Sequence, residues 1–193
     1  MGYNLYQSNL IKNNHQVFIN DCSVAYKCLK DDLNIKDSTW DFYKYNIFAV
    51  TSSSILFYNL YRELNYHIRS YVGNDRPLWM QSWLNYHEED NTLLTSLGNK
   101  KGFHGHGSLY HGYISIDPQN TITKFRNGLE IPNKIGQLYL GPGANSSITP
   151  PPEDPWDHYV KALTPFLKPR ITIAFDISEY VNHALRSTFI PIL

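Results

Sequence analysis

The hydrophobic pattern divides the chain into a helical first part and a strand-rich second part. Between residues 53 and 72, apolar side chains recur every three or four positions along one stripe, which predicts a long amphipathic helix. Gly73 supplies a stop signal directly after this stretch, and Pro77 follows shortly. The stripe consists of Ile55, Leu56, Leu60, Leu64 and Ile68.

The pattern ahead of this helix is less regular. Residues 16–19 predict a short strand within an extended N-terminal segment, and Asp21 is expected to cap a helix over residues 22–33. Residues 34–52 are rich in aromatic side chains and favour a strand or an irregular layer. One or two helices are therefore expected within residues 1–77.

After residue 78, short alternating or apolar runs separated by turn residues replace the helical period. Such runs predict strands at 79–86, 110–116, 121–125, 135–140, 159–163 and 170–177. This order favours a mainly β fold, a double-stranded β-helix (jelly roll) with the N-terminal helices packed on one sheet. We predict a single domain over residues 1–193, in which residues 1–77 support a jelly-roll core at 78–177 and residues 178–193 form a tail.

Composition and charge exclude several classes of partner. The formal net charge is +0 at pH 7 and there is no basic stripe, so nucleic acid is not an expected partner. No run approaches the ~20 apolar residues of a membrane span, and the N-terminus lacks a signal-peptide pattern. Cys22 and Cys28 would not face each other squarely on a helix, so we predict no disulfide; a reducing cytoplasm fits.

Two histidines that flank a glycine stand shortly before the predicted strand at 110–116. In an extended segment, residues i and i+2 point to the same face, so His104 and His106 can direct two imidazoles at one point. Neutral imidazole is the commonest metal-ligating side chain, so the pair predicts a metal site. Histidines of a surface loop would give the same short motif. His111 falls five positions after His106 and is expected on the opposite strand face.

A jelly roll can hold a metal at its mouth with ligands from different strands. His158 opens the strand at 159–163 and is the candidate for a third ligand. Arg170 and Thr172 share one face of the last long strand, where a guanidinium and a hydroxyl form a fork for a carboxylate. Alternatively, Arg170 pairs with a structural acid such as Asp176.

Six motifs follow one another in order along the second half of the chain. They are Gln-Ser-Trp-Leu-Asn at 81–85, His-Gly-His at 104–106, Gly-Tyr-Ile-Ser-Ile at 112–116, Gly-Gln-Leu-Tyr-Leu at 136–140, His158, and Arg-Ile-Thr-Ile-Ala-Phe at 170–175. Together they resemble the Fe(II)- and 2-oxoglutarate-dependent oxygenases, in particular a small branch that carries HxH in place of the usual HxD. The resemblance covers roughly residues 78–177.

The resemblance implies a double-stranded β-helix with Fe(II) held by His104 and His158. It places His106 where these enzymes usually carry Asp or Glu. It also implies that the distal carboxylate of 2-oxoglutarate pairs with Arg170 and Thr172. Such enzymes couple oxidative decarboxylation of 2-oxoglutarate to succinate with insertion of oxygen into a substrate C–H bond, and ascorbate is an optional reductant.

Two further positions are expected to line the co-substrate pocket, Asn85 and Tyr139, because inward-facing residues of a barrel do so by default. The missing carboxylate at position 106 departs from the usual facial triad of two histidines and one carboxylate. A three-histidine site keeps the full +2 charge on iron, which 2-oxoglutarate could balance. Alternatively, water takes the place of His106, or Asp90 or Glu89 reaches in from the preceding loop.

Three functions compete on this pattern. The first is a hydroxylase-type oxygenase, and the second is a cupin-type metal-dependent dioxygenase or isomerase that does not use 2-oxoglutarate. The third is a non-catalytic jelly roll with a binding or structural role. The Arg170 fork separates the first two, since a cupin has no need of it. The substrate, whether a small molecule or a peptide, is not predicted, because the rim would come from irregular residues at 88–101 and 141–157.

Overall fold

The computed structural model describes residues 2–88, 102–143, 154–181 and 188–193. Its helices are α1 (Asn9–Asn13), α2 (His15–Asp31), α3 (Ile47–Val50) and α4 (Ile55–Val72), with a 3-10 turn at Phe42–Lys44. Its strands are β1 (Asn4–Gln7), β2 (Leu78–His87), β3 (Tyr110–Asp117), β4 (Thr121–Phe125), β5 (Glu130–Pro132), β6 (Gln137–Pro142), β7 (His158–Ala162), β8 (Arg170–Ser178) and β9 (Phe189–Ile192).

The strands form two antiparallel sheets, which confirms the predicted jelly roll. The larger sheet has six strands in the order β1-β6-β3-β8-β2-β9, and the smaller has three in the order β5-β4-β7. An isolated bridge pairs His104 with His158 and extends the smaller sheet beyond β7. The smaller sheet therefore faces the four central strands of the larger one with four chain segments of its own.

Helix α4 begins and ends where capping chemistry predicts. The Ser54 hydroxyl accepts a hydrogen bond from the Phe57 amide at the start, and Gly73 takes a left-handed conformation (φ 70°) at the end. Phe57, Leu60, Leu64, Ile68 and Val72 are buried and join α4 to a hydrophobic core shared with the outer face of the larger sheet, whereas Ile55 of the predicted stripe is exposed. That core includes Ile171, Ile173, Phe175 and Ile177 from alternate positions of β8.

Helix α2 is longer than predicted and replaces the strand expected at 16–19. Phe18, Cys22, Ala25 and Leu29 are its buried residues, so the helical stripe already starts at Phe18. Asp21 lies inside the helix and does not cap it; its carboxylate accepts a 2.6 Å hydrogen bond from the Ser54 hydroxyl. Cys22 and Cys28 are free thiols, as predicted.

The remaining differences concern short elements. Residues 34–52 contain a 3-10 turn and α3 where a strand or irregular layer was expected. The predicted tail contains β9, which pairs with β2, and the N-terminal β1 pairs with β6. Both strands have four residues and depend on pairing with a sheet edge, so their own sequence carries little signal. Within the described ranges, no helix has the length and hydropathy required to cross a membrane.

We expect Gly112→Ala to destabilise the protein, because β3 has no room for a side chain at this position. A Cβ at this position would collide with the Phe175 ring and lie 2.6 Å from the carbonyl oxygen of Tyr139. Overpacking of this kind costs about 1–3 kcal/mol of unfolding free energy, which urea titration measures. Gly2→Ala is the control, since a Cβ there has nothing within 4 Å. Equal stability of both variants would contradict this account of the sheet.

Candidate metal centre

Two histidines far apart in the sequence are held side by side by the backbone. The His104 amide donates to the His158 carbonyl at 3.1 Å, and the His158 amide donates to the His104 carbonyl at 3.0 Å. Their ring centroids are 4.7 Å apart. Because both bonds are main-chain bonds, the pair is positioned by strand pairing and not by side-chain contacts.

His106 completes a three-histidine cluster. Its ring centroid lies 5.2 Å from that of His104 and 5.3 Å from that of His158. One ring nitrogen from each of the three lies within 4.8 Å of the others, so the cluster could hold a metal ion. The structure thus brings together the three residues that the sequence suggested as ligands.

The hydrogen bonds of these rings leave nitrogens free to bind a metal. The Nδ1 of His158 lies 3.2 Å from the Trp156 carbonyl oxygen, which can only accept, so Nδ1 carries the proton and Nε2 keeps its lone pair. The Nε2 of His106 and the Nδ1 of His104 are buried and have no hydrogen-bond partner. Buried polar atoms without partners are costly, and a cation bound between these rings would satisfy them. The donor set therefore fits a divalent transition metal.

Two residues that sequence reasoning did not place in the site lie beside His106. The ring of His111 stacks on that of His106 with centroids 3.6 Å apart, and its Nδ1 lies 2.9 Å from the Asp176 carboxylate. The expectation that His111 points to the opposite face is wrong, because β3 begins only at Tyr110 and strand alternation does not extend back to position 106. Counting alternation from His111 inside β3 would have placed it on the site's face, like Tyr113.

Asp176 was considered as a structural partner of Arg170, and this alternative is also wrong. The two residues stand at opposite ends of β8, about 20 Å apart by the rise of an extended strand. The ion pairs of Asp176 are with His106 and His111. Its alternation with Arg170, Thr172 and Ala174 along β8 is the sequence signal that could have placed it on the inward face.

Arg170 lies in the same cavity as the histidine cluster. The cavity has a volume of about 290 Å³, and Arg170, Thr172 and Asn85 line it together with the three histidines. The Asn85 side-chain amide donates to the Thr172 hydroxyl at 3.2 Å, and its carbonyl oxygen is buried without a partner. These residues form a polar end of a mostly enclosed space.

Among the described residues, none supplies a counter-charge to the buried guanidinium of Arg170. The residue is 4% exposed, its Nε has no hydrogen-bond partner, and among the described residues no carboxylate lies within ion-pair distance. Burial lowers the pKa of Arg170 to about 10, so it still carries its charge at neutral pH. An unpaired buried cation is costly, and an anionic ligand would offset that cost.

Tyr139 is the predicted pocket residue that the structure does not place on the cavity wall. Its ring stacks on Tyr113 at 5.2 Å and packs near Phe125 at 5.1 Å, inside the core. Burial raises the pKa of Tyr139 above its ordinary value. It therefore supports Tyr113, which does line the cavity, and is not itself in the lining.

The cavity mouth includes a segment that sequence analysis did not assign to it. Asp37, Thr39 and Trp40, from the stretch between α2 and α3, line the cavity. Trp40 is 57% exposed, and its ring lies edge-on to His104 with centroids 6.1 Å apart. Most of the two loops expected to form the rim, and the acids considered there, Glu89 and Asp90, lie outside the described residues.

The buried histidines are neutral at physiological pH. Burial, together with the neighbouring histidines, lowers the pKa of His104 and His111 to about 4 and that of His158 well below its ordinary value. Burial and the nearby Arg170 lower the pKa of His87, which also lines the cavity, to about 3. Neutral imidazoles keep the lone pairs that metal binding requires.

Comparisons with known proteins add little to this geometry. No protein-family model matches the sequence, and no curated protein matches it. Among solved structures, the chain is similar to the viral collagen prolyl hydroxylase vCPH from Paramecium Bursaria Chlorella virus-1, with 12% identity, a TM-score of 0.49 and coverage of 91% of this chain and 89% of that one. It also matches a full-length Neurospora crassa protein solved in complex with alpha-KG, with 12% identity, a TM-score of 0.33 and coverage of 90% and 53%. With identities this low, neither structure transfers an activity to this chain.

We expect the metal-free protein to lose stability as the pH falls from about 6.5 toward 4. An unfolded histidine titrates near pH 6.5, whereas burial holds the pKa of His87, His104 and His111 at lower values. The unfolded chain therefore binds more protons in this window, and each such histidine lowers the unfolding free energy by up to about 1.4 kcal/mol per pH unit. Urea unfolding of chelator-treated protein at several pH values measures the slope. His87→Gln should flatten it, and an unchanged slope would show that His87 is not buried as a neutral group.

Proposed function

We propose that this protein is a non-haem Fe(II) oxygenase that oxidatively decarboxylates 2-oxoglutarate to succinate and hydroxylates a substrate. The observation that carries the proposal is the occurrence of two complementary features in one cavity. Three converging imidazoles offer neutral nitrogen ligands at one end, and the unpaired guanidinium of Arg170 offers a positive charge at the other. A small dicarboxylate that chelates the metal with one end can neutralise Arg170 with the other.

Each group of the cavity has a role in this reaction. His104, His106 and His158 would hold the metal, and bound Fe(II) supplies the activation of dioxygen. Arg170 would bind the distal carboxylate of 2-oxoglutarate through charge-assisted hydrogen bonds. The Thr172 hydroxyl, which accepts a hydrogen bond from Asn85, keeps its own proton free to donate to the same carboxylate.

The enclosure of the cavity serves the same chemistry. Its lining also includes Trp83, Val160 and Ala174, so a bound diacid would have apolar walls beside it. Low polarity strengthens the contact with Arg170 and protects reactive species from side reactions. Trp40 at the mouth is exposed and adjoins His104, which is where a substrate would approach.

The cupin-type alternative uses the same histidines without a co-substrate. It leaves the buried charge of Arg170 without a function, and for this reason we prefer the 2-oxoglutarate reaction. The two differ in a direct measurement. Anaerobic Fe(II)-loaded protein should develop the weak visible charge-transfer band of a chelated keto acid when 2-oxoglutarate is added. A metal-loaded protein that shows no band and no 2-oxoglutarate binding would favour the cupin-type function.

We expect Arg170→Met to weaken 2-oxoglutarate binding by about 1.5–3 kcal/mol, or roughly 10- to 150-fold, through loss of a charge-assisted contact. Methionine fills a similar volume, and removal of an unpaired buried charge should raise the melting temperature of the ligand-free protein. Isothermal titration of the anaerobic Fe(II) protein measures the affinity. The control is Arg76→Met, an exposed arginine paired with Glu179. Equal affinity for the wild type and Arg170→Met would remove Arg170 from the proposal.

We expect His158→Ala to lose bound iron, because it removes one of the three proposed ligands. Iron per chain after anaerobic loading and desalting, measured by mass spectrometry, should fall from near one to a small fraction. His67→Ala is the control, since His67 stacks on Tyr6 outside the cavity at a centroid distance of 4.2 Å. Unchanged iron content in His158→Ala would show that the ligand assignment is wrong.

A further inference from the structure

The carboxylate of Asp176 is at the centre of a hydrogen-bonded group next to the three-histidine cluster. Its side chain is 13% exposed. The Nδ1 of His106 lies 3.2 Å from Oδ1 and 3.3 Å from Oδ2, and the Nδ1 of His111 lies 2.9 Å from Oδ1. The Ser108 hydroxyl also donates to Oδ1, at 3.2 Å. One carboxylate therefore collects hydrogen bonds from three side chains.

We propose that Asp176 is a positioning residue that sets the orientation and basicity of His106 as a metal ligand and supplies the negative charge absent from position 106. The inference rests on the proposed metal centre. In this role the carboxylate of Asp176 contacts His106 through a hydrogen bond and does not touch the metal itself.

The hydrogen bonds determine which nitrogen of His106 faces the metal. An ionised carboxylate only accepts hydrogen bonds, so the Nδ1 atoms of His106 and His111 must both carry protons. With Nδ1 used in this way, the ring nitrogen of His106 left to bind a metal is Nε2, which is buried and has no hydrogen-bond partner. A histidine that donates its second ring proton to a carboxylate is a better metal ligand, because the bond fixes its tautomer and increases its basicity.

The electrostatics of Asp176 also indicate a cation nearby. No lysine or arginine among the described residues pairs with this carboxylate. A buried anion without a fixed positive partner is costly, and a divalent cation on His106 would offset that cost.

His111 stabilises this arrangement from the side. Its ring lies nearly parallel to that of His106, at an angle of 12°, so the stacked pair presents both Nδ1 atoms to the same carboxylate. Trp83 stacks on His106 as well, with centroids 5.6 Å apart. The ring of His106 is thus restricted by stacking as well as by its hydrogen bond to Asp176.

A different use of the same atoms is a second metal site. The ligand-capable atoms of His106, His111 and Asp176 also lie within 4.8 Å of one another. A cation there would have to displace both Nδ1 protons that now bond the carboxylate, and His106 would have to bridge two metals. The existing hydrogen bonds therefore favour a positioning role for Asp176.

The first test compares metal affinity in Asp176→Asn with that in the wild type, using Zn(II) and Co(II) with a competing chelator. Loss of a carboxylate behind a ligating histidine typically costs 10- to 100-fold in metal affinity, and we expect a loss in this range. Asp117→Asn is the matched control: Asp117 is also a buried acid of the larger sheet, but it pairs with Lys168. Circular dichroism of the metal-free proteins checks that each variant is folded.

Two outcomes of this comparison have different meanings. A wild type that binds neither metal would overturn the proposed metal centre itself. A wild type that binds with an affinity equal to that of Asp176→Asn would overturn only the role of Asp176. Asp176→Glu keeps the charge, and we expect it to bind metal more tightly than the asparagine variant. If Asp176→Asn does not fold, Asp176→Ser takes its place in the comparison.

The second test reads the tautomer of His106 directly. In zinc-loaded protein labelled with ¹⁵N, long-range proton–nitrogen spectra should show His106 with a protonated Nδ1 and zinc on Nε2. The Nδ1 proton should exchange with solvent faster in Asp176→Asn, a change that a purely structural role does not predict. Two results would overturn the proposal. One is zinc bound to Nδ1 of His106, and the other is a second zinc ion whose binding requires Asp176.

Discussion

Strand β8 lies between β2 and β3, and its pairing on both sides determines what the cavity contains. One face of the strand carries Ile171, Ile173, Phe175 and Ile177, all buried in the core. The other face carries Arg170, Thr172, Ala174 and Asp176. A slip of one residue in register would exchange these two faces and place four apolar side chains in the cavity. The hydrophobic effect on the outer face thus keeps the polar face directed at the site.

The same strand carries two buried charges of opposite sign, Arg170 in the cavity lining and Asp176 behind His106. Arg170 is positive and Asp176 is negative, and neither has a partner of fixed opposite charge among the described residues. Each isolated charge costs folding free energy, and each cost falls when a ligand of opposite sign binds. Binding of ligands of opposite sign at these two positions would therefore raise the stability of the protein.

Much of the fold could be predicted from the sequence, because strands and long helices repeat their pattern over many residues. The core strands follow from the alternation of apolar and polar residues, and α4 follows from its apolar stripe and its capping residues. The pairing of the segments that carry His104 and His158 follows from the jelly-roll topology. The short edge strands could not be predicted, since four residues acquire their conformation from the neighbouring strand. Helix α2 was predicted seven residues too late, because the apolar run Val17–Ile19 in its first turns has the pattern of a short strand.

The site was only partly predictable for related reasons. That His104, His106 and His158 lie together could be predicted, because metal binding requires specific side-chain types. His111 could not, since its position depends on where an irregular segment ends and β3 begins. Trp40 reaches the cavity mouth from an irregular stretch before α3, and no local pattern marks a contact of that kind.

The extended backbone of β8 also fixes the spacing between residues along its inward face. Six residues of strand, at about 3.3 Å each, separate Arg170, which would bind a diacid, from Asp176, which would support the metal centre. Side-chain substitutions around the cavity can change its width but not this length. In the proposed function, this fixed spacing would restrict which dicarboxylates can reach the metal and Arg170 at the same time.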